Sequence, residues 1–254
     1  MPDDDHLLAR DLAVEAGRRL VGLRAHGGDP DMLRKAGDRL SHEFLTAALA
    51  GRRPGDVVLS EEAADNPARL AARRVWIVDP LDGTREFGEP GRTDWAVHVA
   101  LWEDGDLVAG AVALPAQDQI LSTVPSTGEP PPPRPDGEAP ARIRIVVSRS
   151  RPPAFVRNIS GLIDAELVPL GSAGAKVAAV VNGEVDAYVH GGGFYEWDTA
   201  APVAVARAAG LHASRIDGSA LAYNQANLLM PDILVCRPAV AGILLQAIRV
   251  IKEI

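Results

Sequence analysis

Apolar residues follow two rhythms along this chain. From about His6 to His26, Leu7, Leu8, Leu12, Val14, Leu20, Val21 and Leu23 recur at the spacing of one helix face, and Gly27, Gly28 and Pro30 end the run. A second helix is expected from about Asp38 to Ala50, with Leu40, Phe44, Leu45, Ala48 and Leu49 on its buried side. Asp38 near its start would be a capping carboxylate. The rhythm then shortens to that of strands. Asp56–Leu59 reads as one, and Val75-Trp76-Ile77-Val78 as another that is buried, closed by Asp79 and broken by Pro80 and Gly83. Three more strands are expected at 94–103, 106–114 and 117–124, with hairpin-like connections at 103–106 and 115–117, so this sheet should be largely antiparallel. His98, inside the first of them with no acid or histidine at ligand spacing, reads as a packed core residue.

Residues 125–142 hold seven prolines and almost no apolar content, which marks a linker and the best boundary in the chain. It divides an N-terminal half, 1–124, from a C-terminal half, 143–254. Beyond it strands and helices alternate: strands at 143–148, 166–170, 186–190 and 232–236, helices at 152–163, 175–181, 197–209 and 240–251. Asp198 is expected at the N-cap of the third of these helices, with Pro202 in its first turn.

Composition narrows the class without choosing a function. The 254 residues are 47% hydrophobic and 24% charged, enough for a substantial core, and no apolar run is long enough to span a bilayer. The acidic start, Met1-Pro2-Asp3-Asp4-Asp5, is unlike a signal peptide and points to the cytoplasm. A single cysteine, Cys236, excludes an internal disulfide and a cysteine metal cage. The net charge of −8 argues against nucleic-acid polymers and anionic membrane as partners.

The chemistry lies in acids at strand ends and helix starts: Asp38, Glu61, Asp79, Asp82 and Asp198. Asp79 and Asp82 flank a turn, and with the Leu81 carbonyl between them they could aim oxygens at one spot, as half of a Mg²⁺ site. A plain Asp-Pro…Asp-Gly surface turn fits the same letters, and Glu61-Glu62 alone fits a solvated helix start. Other chemistries drop out. Gly171-Ser172-Ala173-Gly174-Ala175-Lys176 lacks the Gly-Lys-Ser/Thr ending of a phosphate loop, although its N–H groups and Lys176 offer a modest anion site. The two aspartates are too far apart for an aspartyl-phosphate motif, and no Gly-x-Ser-x-Gly or His-Glu-x-x-His is present. A set of converging acids fits metal-assisted phosphoryl transfer.

Ser60-Glu61-Glu62, Trp76-Ile77-Val78-Asp79-Pro80-Leu81-Asp82-Gly83-Thr84 and Glu196-Trp197-Asp198-Thr199-Ala200-Ala201 together resemble the three signatures of the inositol monophosphatase superfamily, Mg²⁺-dependent and lithium-sensitive phosphatases. The resemblance covers nearly the whole chain. It implies a layered αβαβα sandwich with an antiparallel N-terminal sheet and a mixed C-terminal α/β half. Arg85-Glu86-Phe87, Lys176, and Asp217-Gly218 with Tyr223-Asn224 resemble the 3′(2′),5′-bisphosphate nucleotidase branch. That branch removes the 3′-phosphate of adenosine 3′,5′-bisphosphate, a by-product of sulfate assimilation.

By this resemblance, two to three Mg²⁺ ions would be held by Glu61, Asp79, the Leu81 carbonyl, Asp82 and Asp198. Thr84 with either Glu61 or Asp38 would orient the attacking water. Gly83 and Thr84 would receive the phosphate, and Arg85, Ser172, Lys176 and Glu196 would face the rest of the substrate. One departure stands out: Lys35 occupies a position where the family usually has threonine, and could instead meet a second phosphate. Inositol 1-phosphate, fructose 1,6-bisphosphate and histidinol phosphate are the alternative substrates, and a nucleotide- or cation-sensing pseudo-phosphatase is the non-enzymatic alternative. Similar proteins are usually homodimers.

Overall fold

The apolar run at Val75 forms the centre of β2 (Arg74–Asp82), whose successive side chains point to opposite faces of a sheet. Val75 and Ile77 enter one hydrophobic cluster, Trp76 and Val78 another, and all four are excluded from solvent. A strand covered on both faces reads as an unbroken apolar run, and each of these side chains contributes about 1.5–3 kcal/mol by its burial. The computed structural model describes residues 4–124, 140–150 and 152–252; residues 125–139 of the proline-rich boundary lie outside the described residues.

β1 (Val57–Ser60) pairs with β2 in parallel; β3 (Ala96–Glu103), β4 (Asp106–Leu114) and β5 (Gln119–Ser122) continue the sheet antiparallel in chain order. Helices α1 (Asp5–Ala25) and α2 (Pro30–Arg52) cover its outer face. A short helix, α3 (Thr84–Gly88), follows β2. Past the boundary come β6 (Arg144–Ser148), α4 (Ala154–Ile163), β7 (Glu166–Leu170), α5 (Ala173–Val181), β8 (Ala187–His190), β9 (Phe194–Tyr195), α6 (Glu196–Ala208), β10 (His212–Ser214), β11 (Leu229–Met230), β12 (Ile233–Cys236) and α7 (Pro238–Lys252). The second sheet has the order β10-β12-β8-β6-β7, with β6 parallel to β7 and β8 and the other pairs antiparallel.

Helices α5 and α6 fill the space between the two sheets, and α4 and α7 close the far face. The result is the mixed αβαβα sandwich. Its middle core joins Leu59, Val75 and Val112 of the first half to Ala178, Tyr188 and Val203 of the second. No helix among the described residues is long and apolar enough to cross a membrane.

Besides shifts of one or two residues at other ends and the unexpected α3, three boundaries that bear on the acids differ from the sequence expectation. Helix α2 starts at Pro30, capped by Asp29, whose Oδ1 accepts from the N–H groups of Asp31 at 3.1 Å and Met32 at 3.0 Å. Asp38 is therefore a residue of the helix interior and caps nothing. The first turns of α2 carry little apolar surface, so periodicity starts late; the Asp-Pro cap signal was present in the letters. Strand β2 continues through Pro80 to Asp82 by way of an irregularity in its pairing with β3. Helix α6 begins at Glu196, which moves Asp198 to the third helical position and places Pro202 in the helix interior. The small β9–β11 pair, Phe194–Tyr195 against Leu229–Met230, was not expected because two-residue strands carry no periodic signal.

Candidate active site

Alternation along β2 decides where its acids go. Asp79 follows Val75 and Ile77 onto the face toward the middle layer, and the β2–β3 register sets it opposite His98, which shares that face with Ala96 and Ala100. The N-termini of α5 and α6 arrive at the same place, bringing Ser172-Ala173-Gly174 and Glu196-Trp197-Asp198. Helix starts present N–H groups and a positive dipole end, which favour carboxylates.

One oxygen from each of Asp79, Asp82 and Asp198 lies within 4.8 Å of the others. Each carboxylate is also fixed from outside the cluster. Asp79 Oδ1 accepts the Leu81 N–H at 3.0 Å, Asp82 Oδ2 accepts the Gly174 N–H at 2.6 Å, and Asp198 Oδ2 accepts the Tyr195 N–H at 2.6 Å. Glu61 follows β1 and its carboxyl is hydrogen-bonded to that of Asp79. Thr84 Oγ1 lies 3.0 Å from the Leu81 carbonyl and 3.3 Å from Asp38 Oδ1, so it joins α2 to the turn after β2. The turn itself needs glycine: Gly83 has φ +83°, and a Cβ there would stand 2.9 Å from Ser172 Cβ.

Crowding raises the proton affinity of these acids. Desolvation of its carboxyl, then the charge of Asp198, pushes Glu61 up to about 7. Desolvation followed by the charge of Asp82 brings Asp198 to about 6, and burial with the charge of Glu62 brings Asp38 to about 6. Asp79, fully buried beside Glu61 and Asp82, lies well above the usual carboxylate range. Asp82 is the exception. Burial would raise it, but His98, the charge of Lys176 and the Gly174 N–H more than offset this and hold it below its ordinary value. Buried carboxylates that must keep protons to coexist are a hard-cation donor set, because a divalent ion in their midst replaces the shared protons. The residues present fit Mg²⁺.

Three of the residues expected to face the substrate are buried in the fold. Ser172 is buried as the cap of α5, its Oγ accepting from the Ala175 N–H at 3.0 Å, although it does back onto Gly83. Lys176 is buried in the middle layer, with Nζ hydrogen-bonded to the Gly171 carbonyl and 5.4 Å from the Tyr188 ring centroid. Glu196 is excluded from solvent and accepts the N–H groups of Asn224 at 2.7 Å and Gln225 at 2.8 Å. All three side chains are buried. Arg85 is exposed and paired with Glu89 at 3.1 Å. His98 is indeed packed in the core, but it also touches the acids: Nε2 lies 3.2 Å from Asp82 Oδ2, and Nδ1 is 3.2 Å from the Trp197 carbonyl. Sequence spacing could not reveal this, because the contact is made through strand register and a helix from the other half.

Comparison with known proteins agrees with the geometry. A model of the inositol monophosphatase family matches residues 12–251. The 3′-phosphoadenosine 5′-phosphate phosphatase of Mycobacterium leprae is 50% identical, over 96% of this chain and 93% of that protein. The 3′(2′),5′-bisphosphate nucleotidase CysQ of Escherichia coli is 33% identical, over 74% of this chain and 78% of its own. The crystal structure of CysQ from Bacteroides thetaiotaomicron, a bacterial member of the inositol monophosphatase family, superposes with a TM-score of 0.77 at 28% identity, covering 92% of this chain and 97% of that one. Acids gathered at the meeting of β2 with α5 and α6, in a sandwich that family shares from first helix to last, make this chain a member of the inositol monophosphatase family.

Proposed function

We propose that this protein is a Mg²⁺-dependent phosphomonoesterase that converts adenosine 3′,5′-bisphosphate to AMP and inorganic phosphate, a reaction that serves sulfate assimilation. The observation that carries the reading is the convergence of Asp79, Asp82 and Asp198 beside a threonine hydroxyl held by Asp38. The choice of substrate is supported by relatives of 50% identity that are named for it.

Glu61, Asp79, the Leu81 carbonyl, Asp82 and Asp198 would hold two to three Mg²⁺ ions. Bound there, the metal supplies Lewis acidity toward water and charge neutralisation toward phosphoryl oxygens. Thr84 has one hydroxyl proton and two acceptors in reach; turned to Asp38, it leaves the Leu81 carbonyl free to offer a lone pair to the metal. Thr84 orients a water by its hydroxyl, and Asp38, behind it and able to take up a proton near neutral pH, is the group that receives the proton. Glu61 is the alternative base. The backbone N–H groups of Gly83 and Thr84 receive the phosphate. With Lys176 and Glu196 turned inward, the second phosphate falls to exposed cations at the rim. Arg85 and Lys35, the latter one helical turn before Asp38, are the candidates.

The test is phosphate release with Mg²⁺ from adenosine 3′,5′-bisphosphate, inositol 1-phosphate and fructose 1,6-bisphosphate side by side. The nucleotide should be turned over fastest, with inhibition by lithium; equal or greater turnover of the inositol ester contradicts the reading.

A further inference from the structure

At Asp82 a backbone N–H and an imidazole meet the same oxygen, whereas Asp79 and Asp198 each receive a backbone N–H alone on the oxygen that is held. Asp82 Oδ2 accepts the Gly174 N–H at 2.6 Å from the start of α5 and meets His98 Nε2 at 3.2 Å in an oblique contact. His98 has no solvent exposure, and its Nε2 abuts Gly174 so closely that a Cβ there would collide with it. The other ring nitrogen is 3.2 Å from the Trp197 carbonyl, one residue before Asp198. A single imidazole on β3 therefore touches the element that ends in Asp79 and Asp82 and the helix that starts with Asp198.

We propose that His98 is a positioning residue of the metal centre. With the Gly174 N–H it pins Oδ2 of Asp82, leaving Oδ1 as the oxygen presented beside Asp79 and Asp198, and through Trp197 it sets the distance between β2 and α6. Donors behind a ligating carboxylate fix its orientation, and their removal typically weakens metal binding. The inference rests on the reading of the acids as a divalent-cation site.

The test is a calorimetric titration of metal-free protein with Mg²⁺, without substrate, for wild type, His98→Phe and His98→Gln. Phenylalanine fills the ring volume without a donor, whereas the glutamine amide nitrogen reaches the position of Nε2. His98→Phe should weaken Mg²⁺ binding by about tenfold or more, with His98→Gln remaining within about threefold of wild type. A variant that melts without cooperativity is replaced by His98→Asn, whose amide stops at the level of Nδ1 and should show the same loss as phenylalanine. Wild-type affinity in the phenylalanine or asparagine variant overturns the proposal, and so does an equal loss in the glutamine variant. Failure of wild type itself to take up Mg²⁺ overturns the cation-site reading as well, which separates the two failures.

Discussion

At the scale of single residues, the centre is made of acids that could not share so small a volume as bare anions. The Asp79–Pro80–Leu81–Asp82 pattern was legible as acids at a strand end, but alone it fitted a plain surface turn as well, and only the other two signatures beside it decided for chemistry. What the letters did not disclose is how neighbours from elsewhere are spent. Lys176 and Glu196 carry charges suited to a substrate, yet packing of α5 and α6 between two sheets turns both inward, one to a carbonyl and the other to two backbone N–H groups. Thr84 is the residue whose role is easiest to isolate. Its hydroxyl stands between Asp38 and Leu81, so Thr84→Val, nearly equal in volume, should lower kcat by about a hundredfold and leave KM little changed, as steady-state kinetics will show.

At the scale of elements, the site is a product of three starts and one end: the end of β2 and the starts of α3, α5 and α6. The strand and the two longer helices were legible as elements, although their boundaries were not, and the five-residue α3 was not expected at all. The expectation that Asp198 caps α6 failed by three positions because the β9–β11 pair, invisible to periodicity, carries the chain directly into Glu196. Asp38 was misplaced for the opposite reason, since α2 starts on a polar surface turn and reveals its apolar face only later. The junction of β2 with α3 depends on one backbone conformation. Gly83→Ala forces a side chain into positive φ against Ser172, and should cost about 1–2 kcal/mol in thermal unfolding while lowering turnover more than a surface Gly→Ala change does.

At the scale of the whole molecule, the sheets before and after the proline-rich stretch share a single middle core, toward which the acids of β2 and α6 converge. Folding therefore assembles the charge cluster, and stability must record it. Asp38 and Asp198 near 6 and Glu61 near 7 are all raised above their unfolded values. A raised carboxyl stabilises the fold fully below its unfolded pKa and loses that contribution as pH climbs through the folded value. In EDTA the melting temperature should thus fall between about pH 5 and pH 7.5, and saturating Mg²⁺ should remove most of that fall. Asp82, lowered by its neighbours, is ionised throughout this window and does not oppose the trend. A metal-free protein whose stability is flat or rises across the same interval would show that the acids are not forced together. The most direct measurement is anomalous diffraction from crystals soaked in Mn²⁺ as a stand-in for Mg²⁺. A peak bounded by Asp79, Asp82 and Asp198 is expected; density that leaves those three carboxylates unbridged, or a peak elsewhere alone, would contradict a metal centre at this place.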